Sequence, residues 1–269
     1  MSASAPIGVF DSGVGGLSVL KAAQAQLPFE HFIYYADSGF APYGDKSDAY
    51  VIARSEHIGA WLVSQEVKAI VVACNTATAI AVQALRARYR LPIVGIEPGL
   101  KPAIAATRSG KIGVLATART LASERYAKLL ARVQAQSPQI NFIPRVGEGW
   151  VEQVERGDFD SSQASQTVKR AVTPLFEAGC DTLVLGCTHY PFLSQAIQAA
   201  ALGATIIDTA PAVARELERR IATEAVFNPA TIGGTVRLAT TGDAPVVAQL
   251  VIRMLGINPQ TAASFVATR

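Results

Sequence analysis

Two pairs of segments recur along this chain at nearly constant separation, and that recurrence limits the fold more sharply than any single element. IGVFDSG, from Ile7, has its counterpart in IGVLATA, from Ile112; KAIVVACNTATA, around Cys74, has its counterpart in DTLVLGCTHYPF, around Cys187. Each is an apolar run of strand length ending in a small polar cluster, and open α/β sheets bind ligands just past the C-terminal ends of their strands. The repeat predicts two related α/β halves facing each other, each lending one thiol to a site between them. Convergence of buried strands is the simpler explanation. It does not, however, require a cysteine followed by small polar residues at the same strand end.

Short apolar runs alternate with amphipathic stretches of helical length from end to end, the pattern of βαβ units and mainly parallel sheets. Strands are expected at Ile7–Phe10, Phe32–Ala36, Ala69–Ala73, Ile93–Ile96, Ile112–Ala116, Ile140–Ile143, Thr182–Leu185, Thr205–Ile207 and Val236–Thr240. The fold class is α/β, with two similar, pseudo-symmetric domains and an active site between them. EPGLKPA, from Glu97, and the stretch from Ile207 to Pro211 are plausible crossing points. Two crossings make the first domain discontinuous, residues 1–97 plus 208–269, with 98–207 as the second.

The length of 269 residues suits one large domain or two modest ones. Half the residues are hydrophobic but only 7% are aromatic, which fits sheets covered on both faces by alanine-rich helices. The net charge of +3 is dispersed, and no run of Lys and Arg interleaved with aromatics suggests a nucleic-acid surface. MSASAPIGVF has neither a positive n-region nor a long apolar stretch, so the expectation is a cytoplasmic protein with no signal and no membrane partner. The cysteines Cys74, Cys180 and Cys187 are odd in number, which argues against a disulfide framework. Cys180, Cys187 and His189 fall short of the paired ligands of structural zinc, so no metal is expected.

FDSGVGGLSVL, from Phe10, reads as strand, glycine-rich turn and helix. Gly13 and Gly15 nearly match the dinucleotide fingerprint, and Asp37 follows the next strand near the spacing of a ribose-binding carboxylate. The third glycine is Ser18 instead, and Asp11 sets a carboxylate where a pyrophosphate would approach. Dinucleotide binding is therefore disfavoured.

Cys74 directly follows a strand, with Asn75, Thr76 and Thr78 available to cap the next helix, and a helix N-terminus lowers a thiol pKa. Cys187 repeats the arrangement with Thr188 and His189, and Pro191 marks the next helix start. An imidazole beside a thiol can assist proton transfer, although an isolated histidine is commonly structural. Cys180 has no such polar company and reads as structural. ADSGFAPYGDKS, from Ala36, is a loop long enough to cover a pocket, where backbone amides and Tyr43 could hold a carboxylate. An ordinary surface turn is its plain alternative.

Two thiols on opposed halves suit removal of a proton from one face of a carbon acid and its return to the other. One nucleophilic cysteine with a histidine would instead suit acyl transfer and leave the second thiol idle. A redox dithiol would show C-x-x-C spacing, which is absent.

IGVFDSGVGGLSVL, ADSGFAPYGDKS, VVACNTATA, VGIEPGLKPA, IGVLATART and LVLGCTHYPFL occur here in that order, and along nearly its whole length the chain resembles the glutamate racemases of the aspartate/glutamate racemase superfamily. The resemblance implies two α/β domains with the substrate between them, no cofactor, and interconversion of L- and D-glutamate for peptidoglycan synthesis. It implies that Cys74 acts on D-glutamate, assisted by Asp11, and Cys187 on L-glutamate, assisted by His189. A further assisting carboxylate corresponds to Glu155, with Glu152 as the alternative, because RVGEGWVEQVERG departs from the proline and apolar residues usual there. Substrate contacts carried over by motif are Asp11, Ser12, Pro42, Tyr43, Gly44, Asn75, Thr76, Thr117, Thr120, Thr188 and His189.

The resemblance also implies a homodimer, and inhibitory roles toward DNA gyrase occur in some members. Aspartate racemase or another superfamily isomerase is the first alternative. A non-catalytic binding or regulatory protein is the second, and the presence of both thiols argues against an inert site.

Overall fold

The computed structural model describes residues 2–230, 232–256 and 263–267. In the first part of the chain β1 (Ile7–Asp11), α1 (Leu17–Gln26), β2 (Phe32–Ala36), α2 (Asp48–Ser64), β3 (Ala69–Val72), α3 (Asn75–Arg88) and β4 (Ile93–Gly95) alternate. Next come α4 (Leu100–Ala106), β5 (Lys111–Ala116), α5 (Ala118–Ala122), α6 (Glu124–Gln136), β6 (Asn141–Val146), α7 (Trp150–Glu155) and α8 (Ser162–Glu177). The series continues with β7 (Thr182–Gly186), α9 (Ser194–Ala200), β8 (Thr205–Ile207) and α10 (Ala210–Glu224). It ends with β9 (Val236–Thr240), α11 (Ala244–Leu255) and β10 (Ala263–Ala267).

Two sheets result, six strands in the order β10-β9-β2-β1-β3-β4 and four in the order β6-β5-β7-β8, and every pairing is parallel. Parallel strands need crossover helices, and those helices cover both faces, which is why β1, β2, β3 and β7 are buried along their whole length. One apolar cluster is continuous across the halves, taking Val9, Leu20 and Leu217 from one side and Trp150, Leu183 and Leu185 from the other. The outer face of the larger sheet packs under α2 and α3 through Phe10, Ile58, Val72 and Leu85. The outer face of the smaller sheet packs under α4 and α6 through Leu100, Val114, Leu129 and Val133. No described helix is long and apolar enough to cross a membrane.

The expected strands are all present with small changes of boundary. β3 stops at Val72, with the Ala73 N–H still donating to the Phe10 carbonyl, and β6 runs on to Val146 through Pro144. Proline is tolerated there because β6 is an edge strand. β10 was not expected: its five residues carry no alternation of their own and become a strand by parallel addition to β9, with Ala263 opposite Val236. Pro191 starts no α-helix but lies in a short 3-10 turn, Tyr190–Leu193, ahead of α9.

Candidate active site

Because the strands of each sheet are parallel, the residues that follow β1, β3, β5 and β7 emerge at strand C-terminal ends, and those ends converge. A cavity of about 320 Å³ lies among them, lined by Ser12, Pro42, Tyr43, Gly44, Cys74, Asn75, Thr76, Thr117, Cys187, Thr188 and His189. Asp11, Thr120 and Glu155 stand directly behind that lining and reach it through bonded partners. The cavity wall also includes Asp45, Val146, Glu148, Val151 and Tyr190, which sequence reasoning assigned no role, and Glu152, the alternative assisting carboxylate. Glu148, Val151 and Glu152 come from the turn into α7 and from α7 itself, where the motif signal was weakest.

Cys74 itself caps α3: its sulfur accepts the Ala77 N–H at 3.4 Å, so the cap is the thiol and not Asn75, Thr76 or Thr78. Its S–H is directed at Ser12 Oγ, 3.6 Å away. Burial pushes the Cys74 thiol pKa well above the ordinary cysteine value, and the neighbouring Asp11 charge adds to the rise. The Ala77 and Ser12 bonds act in the opposite direction and lose. The expected lowering by the helix N-terminus is thus overturned, since one long N–H···S bond cannot match full desolvation of a thiolate.

Asp11 is wholly buried, and its Oδ2 accepts from Gly16 N–H at 2.6 Å and from Thr188 Oγ1 at 3.3 Å. Oδ1 has no protein partner. Burial raises the Asp11 pKa, opposed by the His189 charge.

On the other side Cys187 Sγ lies 3.7 Å from His189 Nδ1, and His189 Nε2 lies 2.6 Å from Glu155 Oε1. Burial alone would lower the His189 pKa; hydrogen bonds to Cys187 and Glu155, with their charges, outweigh it and hold the pKa well above the usual histidine value. In its protonated form the ring presents one N–H to the sulfur and one to the carboxylate. Glu155 is fixed in turn by the Val14 N–H at 2.7 Å and by Ser38 Oγ at 3.3 Å. Glu152, one turn earlier on α7, lines the cavity instead, so the two candidate glutamates hold different places.

The glycine turn explains itself here. A Cβ on Gly13 would overlap the Glu155 carboxylate, and one on Gly15 would overlap the His189 ring. The glycines give clearance to an acid–base pair from the other half of the molecule. Ser18 Oγ also bonds the Thr188 carbonyl at 3.1 Å, so this turn is a seam between the halves.

Neutral polar side chains line the wall between the two thiols and the seam. Thr76 Oγ1 lies 3.1 Å from Thr117 Oγ1 and 3.4 Å from Thr120 Oγ1, which joins α3 to α5 across the seam. The Asn75 carboxamide is buried with neither its nitrogen nor its oxygen bonded to protein, a group left for a ligand or water. Tyr43 lines the cavity, and its hydroxyl donates to Asp37 at 2.5 Å. Cys180 is buried away from the site. Among the described residues no group of His, Cys, Asp and Glu is placed to hold a metal ion.

Residues 11–217 match the Asp/Glu/Hydantoin racemase family. A glutamate racemase of Cupriavidus pinatubonensis is 47% identical over 260 residues, covering 95% of this chain and 93% of the relative. A glutamate racemase isoform from Bacillus anthracis superposes with a TM-score of 0.86 at 33% identity, over 100% of this chain and 98% of that one. The Francisella tularensis glutamate racemase, solved in complex with D-glutamate, gives 0.83 at 26% identity over 98% of both chains. With its paired parallel sheets and the cavity at their strand ends, the chain belongs to the Asp/Glu/Hydantoin racemase family, among its glutamate racemases, and is an isomerase.

Proposed function

We propose that this enzyme interconverts L- and D-glutamate without a cofactor, using Cys74 and Cys187 as the two proton carriers on opposite faces of Cα. The observation that carries the reading is that two thiols, each at the end of a central strand of its own sheet, line one cavity with separate helpers. Asp11 stands behind Cys74, while His189, positioned by Glu155, stands beside Cys187.

In one direction a thiolate at Cys187 takes the α-proton of L-glutamate, and the C–H electron pair is left on Cα. The Cys74 S–H then protonates the opposite face, and its electrons return to sulfur. One thiol and one thiolate remain, exchanged in place, so the reverse turnover starts from the product state. The cost is the weak acidity of Cα beside a carboxylate, and preorganised neutral donors in a buried site are the means of reducing it. Asn75, Thr76, Thr117, Thr188 and the backbone at Pro42–Gly44 are suited to hold the two carboxylates, with Ser12 and Asp11 toward the ammonium group. His189 Nδ1 faces the Cys187 sulfur, whereas burial beside Asp11 favours the thiol form of Cys74 until substrate shifts the balance.

The chain is read as two units, residues 1–97 with 208–269 and residues 98–207, which follows the division of β1–β4, β9 and β10 from β5–β8. Resemblance to the family supports a cytoplasmic homodimer that supplies D-glutamate for peptidoglycan.

Purified protein incubated with L-glutamate in heavy water tests the reading, with optical rotation and α-proton exchange followed together and L-aspartate run in parallel. Inversion with solvent deuterium incorporation, abolished in both Cys74→Ser and Cys187→Ser, is expected. Full racemisation by either variant would refute the two-thiol scheme, and inversion of aspartate alone would reassign the substrate.

A further inference from the structure

Asp37 is fully buried just beyond β2, outside the cavity, and the proton-transfer scheme gives it no part. Its Oδ1 accepts from Arg54 Nη2 at 2.6 Å and Thr241 Oγ1 at 3.0 Å; its Oδ2 accepts from Arg54 Nε at 3.0 Å and Tyr43 Oη at 2.5 Å. Its own N–H donates to the Asp11 carbonyl at 3.0 Å. The carboxylate thus joins the end of β1, the residue after β9, helix α2 and the loop that carries Pro42, Tyr43 and Gly44. The Arg54 guanidinium carbon lies over the Phe40 ring, 3.7 Å from its centroid. At Gly39 a Cβ would meet the Thr241 carbonyl, so the loop lies close against the end of β9. The far end of the same loop is tied to the other half, where Arg119 bonds the Lys46 carbonyl and pairs with Asp48 at 3.2 Å.

A buried carboxylate that met only one of these donors would be costly, but a bidentate guanidinium with two hydroxyls satisfies both oxygens. The Tyr43 hydroxyl, with its pKa raised by burial and by Asp37, is committed to that carboxylate and cannot serve as donor to a substrate. What Tyr43 gives the cavity is its ring and its place in the chain.

We propose that Asp37, clamped by Arg54 and Thr241, is a positioning residue that sets Tyr43 and the Pro42–Gly44 backbone at the distance substrate binding requires. This rests on the glutamate-binding reading above for its kinetic consequence and on geometry alone for the clamp. Loss of the clamp loosens a wall of the cavity without touching either thiol, so binding suffers more than chemistry.

Two readouts separate the claims. Trypsin cleavage after Lys46 reports on the loop whether or not glutamate is the substrate, and steady-state racemisation reports on positioning. Asp37→Asn is expected to speed cleavage and to raise KM for glutamate about 10-fold while kcat stays within about 3-fold. Tyr43→Phe should raise KM about 3-fold, and the double variant should be no worse than Asp37→Asn, since residues acting in series are not additive. Thr241→Val and Arg54→Lys keep a buried charge pair and should give smaller shifts of the same kind, deciding the matter if Asp37→Asn does not fold. Unchanged cleavage overturns the clamp. Unchanged KM, a loss confined to kcat, or multiplying single effects overturns the positioning role. Inactivity of the unaltered protein on glutamate would sink the functional reading and leave the cleavage result to judge the clamp.

Discussion

His189, buried, and Glu155, half-buried, form an ion pair at 2.6 Å across the seam of the molecule, with the opposite ring nitrogen 3.7 Å from the Cys187 sulfur. The Cys187 sulfur and the Glu155 carboxylate together raise the pKa of the ring, against a burial that on its own would favour neutral imidazole. Cys187 and Cys74 therefore work in different fields, one beside a cation and the other beside the buried Asp11 carboxylate. An enzyme with a symmetric task has asymmetric acid–base equipment.

Glu155→Gln keeps a hydrogen-bond acceptor and removes the charge. Glu155 raises the His189 pKa, so its loss lowers that pKa, and the imidazolium is lost at a lower pH than before. The basic limb of the L-to-D pH–rate profile should move to lower pH, with activity at neutral pH down about 10- to 100-fold. An unshifted basic limb in a folded variant would show that Glu155 does not set the ring's protonation.

Gly15→Ala places a methyl group where the His189 ring now lies, with its nearest heavy atoms Nδ1, Cε1 and Cγ. The ring is buried and held on its far side by Glu155, so it can move only by stretching one of its two bonds. Displacement on the order of 1 Å at a proton-transfer group costs about 10²-fold. Under the proposed scheme, in which L-to-D turnover begins at Cys187, that direction should fall by this order while D-glutamate still exchanges its α-proton through Cys74. Equal loss in both exchange half-reactions would show that the methyl group disturbs more than His189.

The β-strands that build the site were legible in the sequence because they are buried on both faces and read as unbroken apolar runs, and the polar residues at their ends located both thiols. The choice between Glu152 and Glu155 was not legible. They sit on one helix face a turn apart, and only the approach of Gly13 to the second shows which one meets His189. The Asp37–Arg54 pair is a contact between a strand end and a helix with no spacing rule to reveal it. The Cys74 thiol went the wrong way for a similar reason: the helix cap is local and visible in sequence, while the burial that overrides it is a property of the whole fold.

Asp11 should show a conflict between stability and function. Its pKa is raised on folding, so the folded state favours the protonated form. The penalty is absent below its unfolded pKa, grows as pH rises from there through the folded value, and is constant above it. Asp11→Asn removes the ionisable group and should raise the melting temperature at pH 7, by about 2 °C for each ~1 kcal/mol relieved, with no gain below about pH 3.5. Racemisation should fall sharply at the same time. A lower melting temperature at pH 7 would mean that the charged acceptor for Gly16 N–H is worth more than its desolvation costs.

Lys68 and Glu30 make a fully buried ion pair, far from the cavity, and it should behave as a pure stability device. Lys68 Nζ lies 2.5 Å from Glu30 Oε2 and donates to the carbonyls of Ala3 and Val226 at 2.6 and 2.9 Å, while Glu30 Oε1 accepts the Asn228 N–H at 2.9 Å. The pair ties the N-terminal segment and the chain beyond α10 to the segments that lead into β2 and β3. Lys68→Met strands a carboxylate in the interior and should cost about 3–5 kcal/mol, a drop of roughly 10 °C. Adding Glu30→Leu removes the stranded charge, so the double variant should recover most of that loss, less the share due to the two carbonyls and one N–H left without partners. Neither residue touches the cavity, so kcat and KM at 25 °C should match the unaltered protein in both variants. Thermal unfolding of the three proteins decides it: a double variant no more stable than Lys68→Met would mean that the hydrogen bonds to the chain, and not the charge pair, hold this corner together.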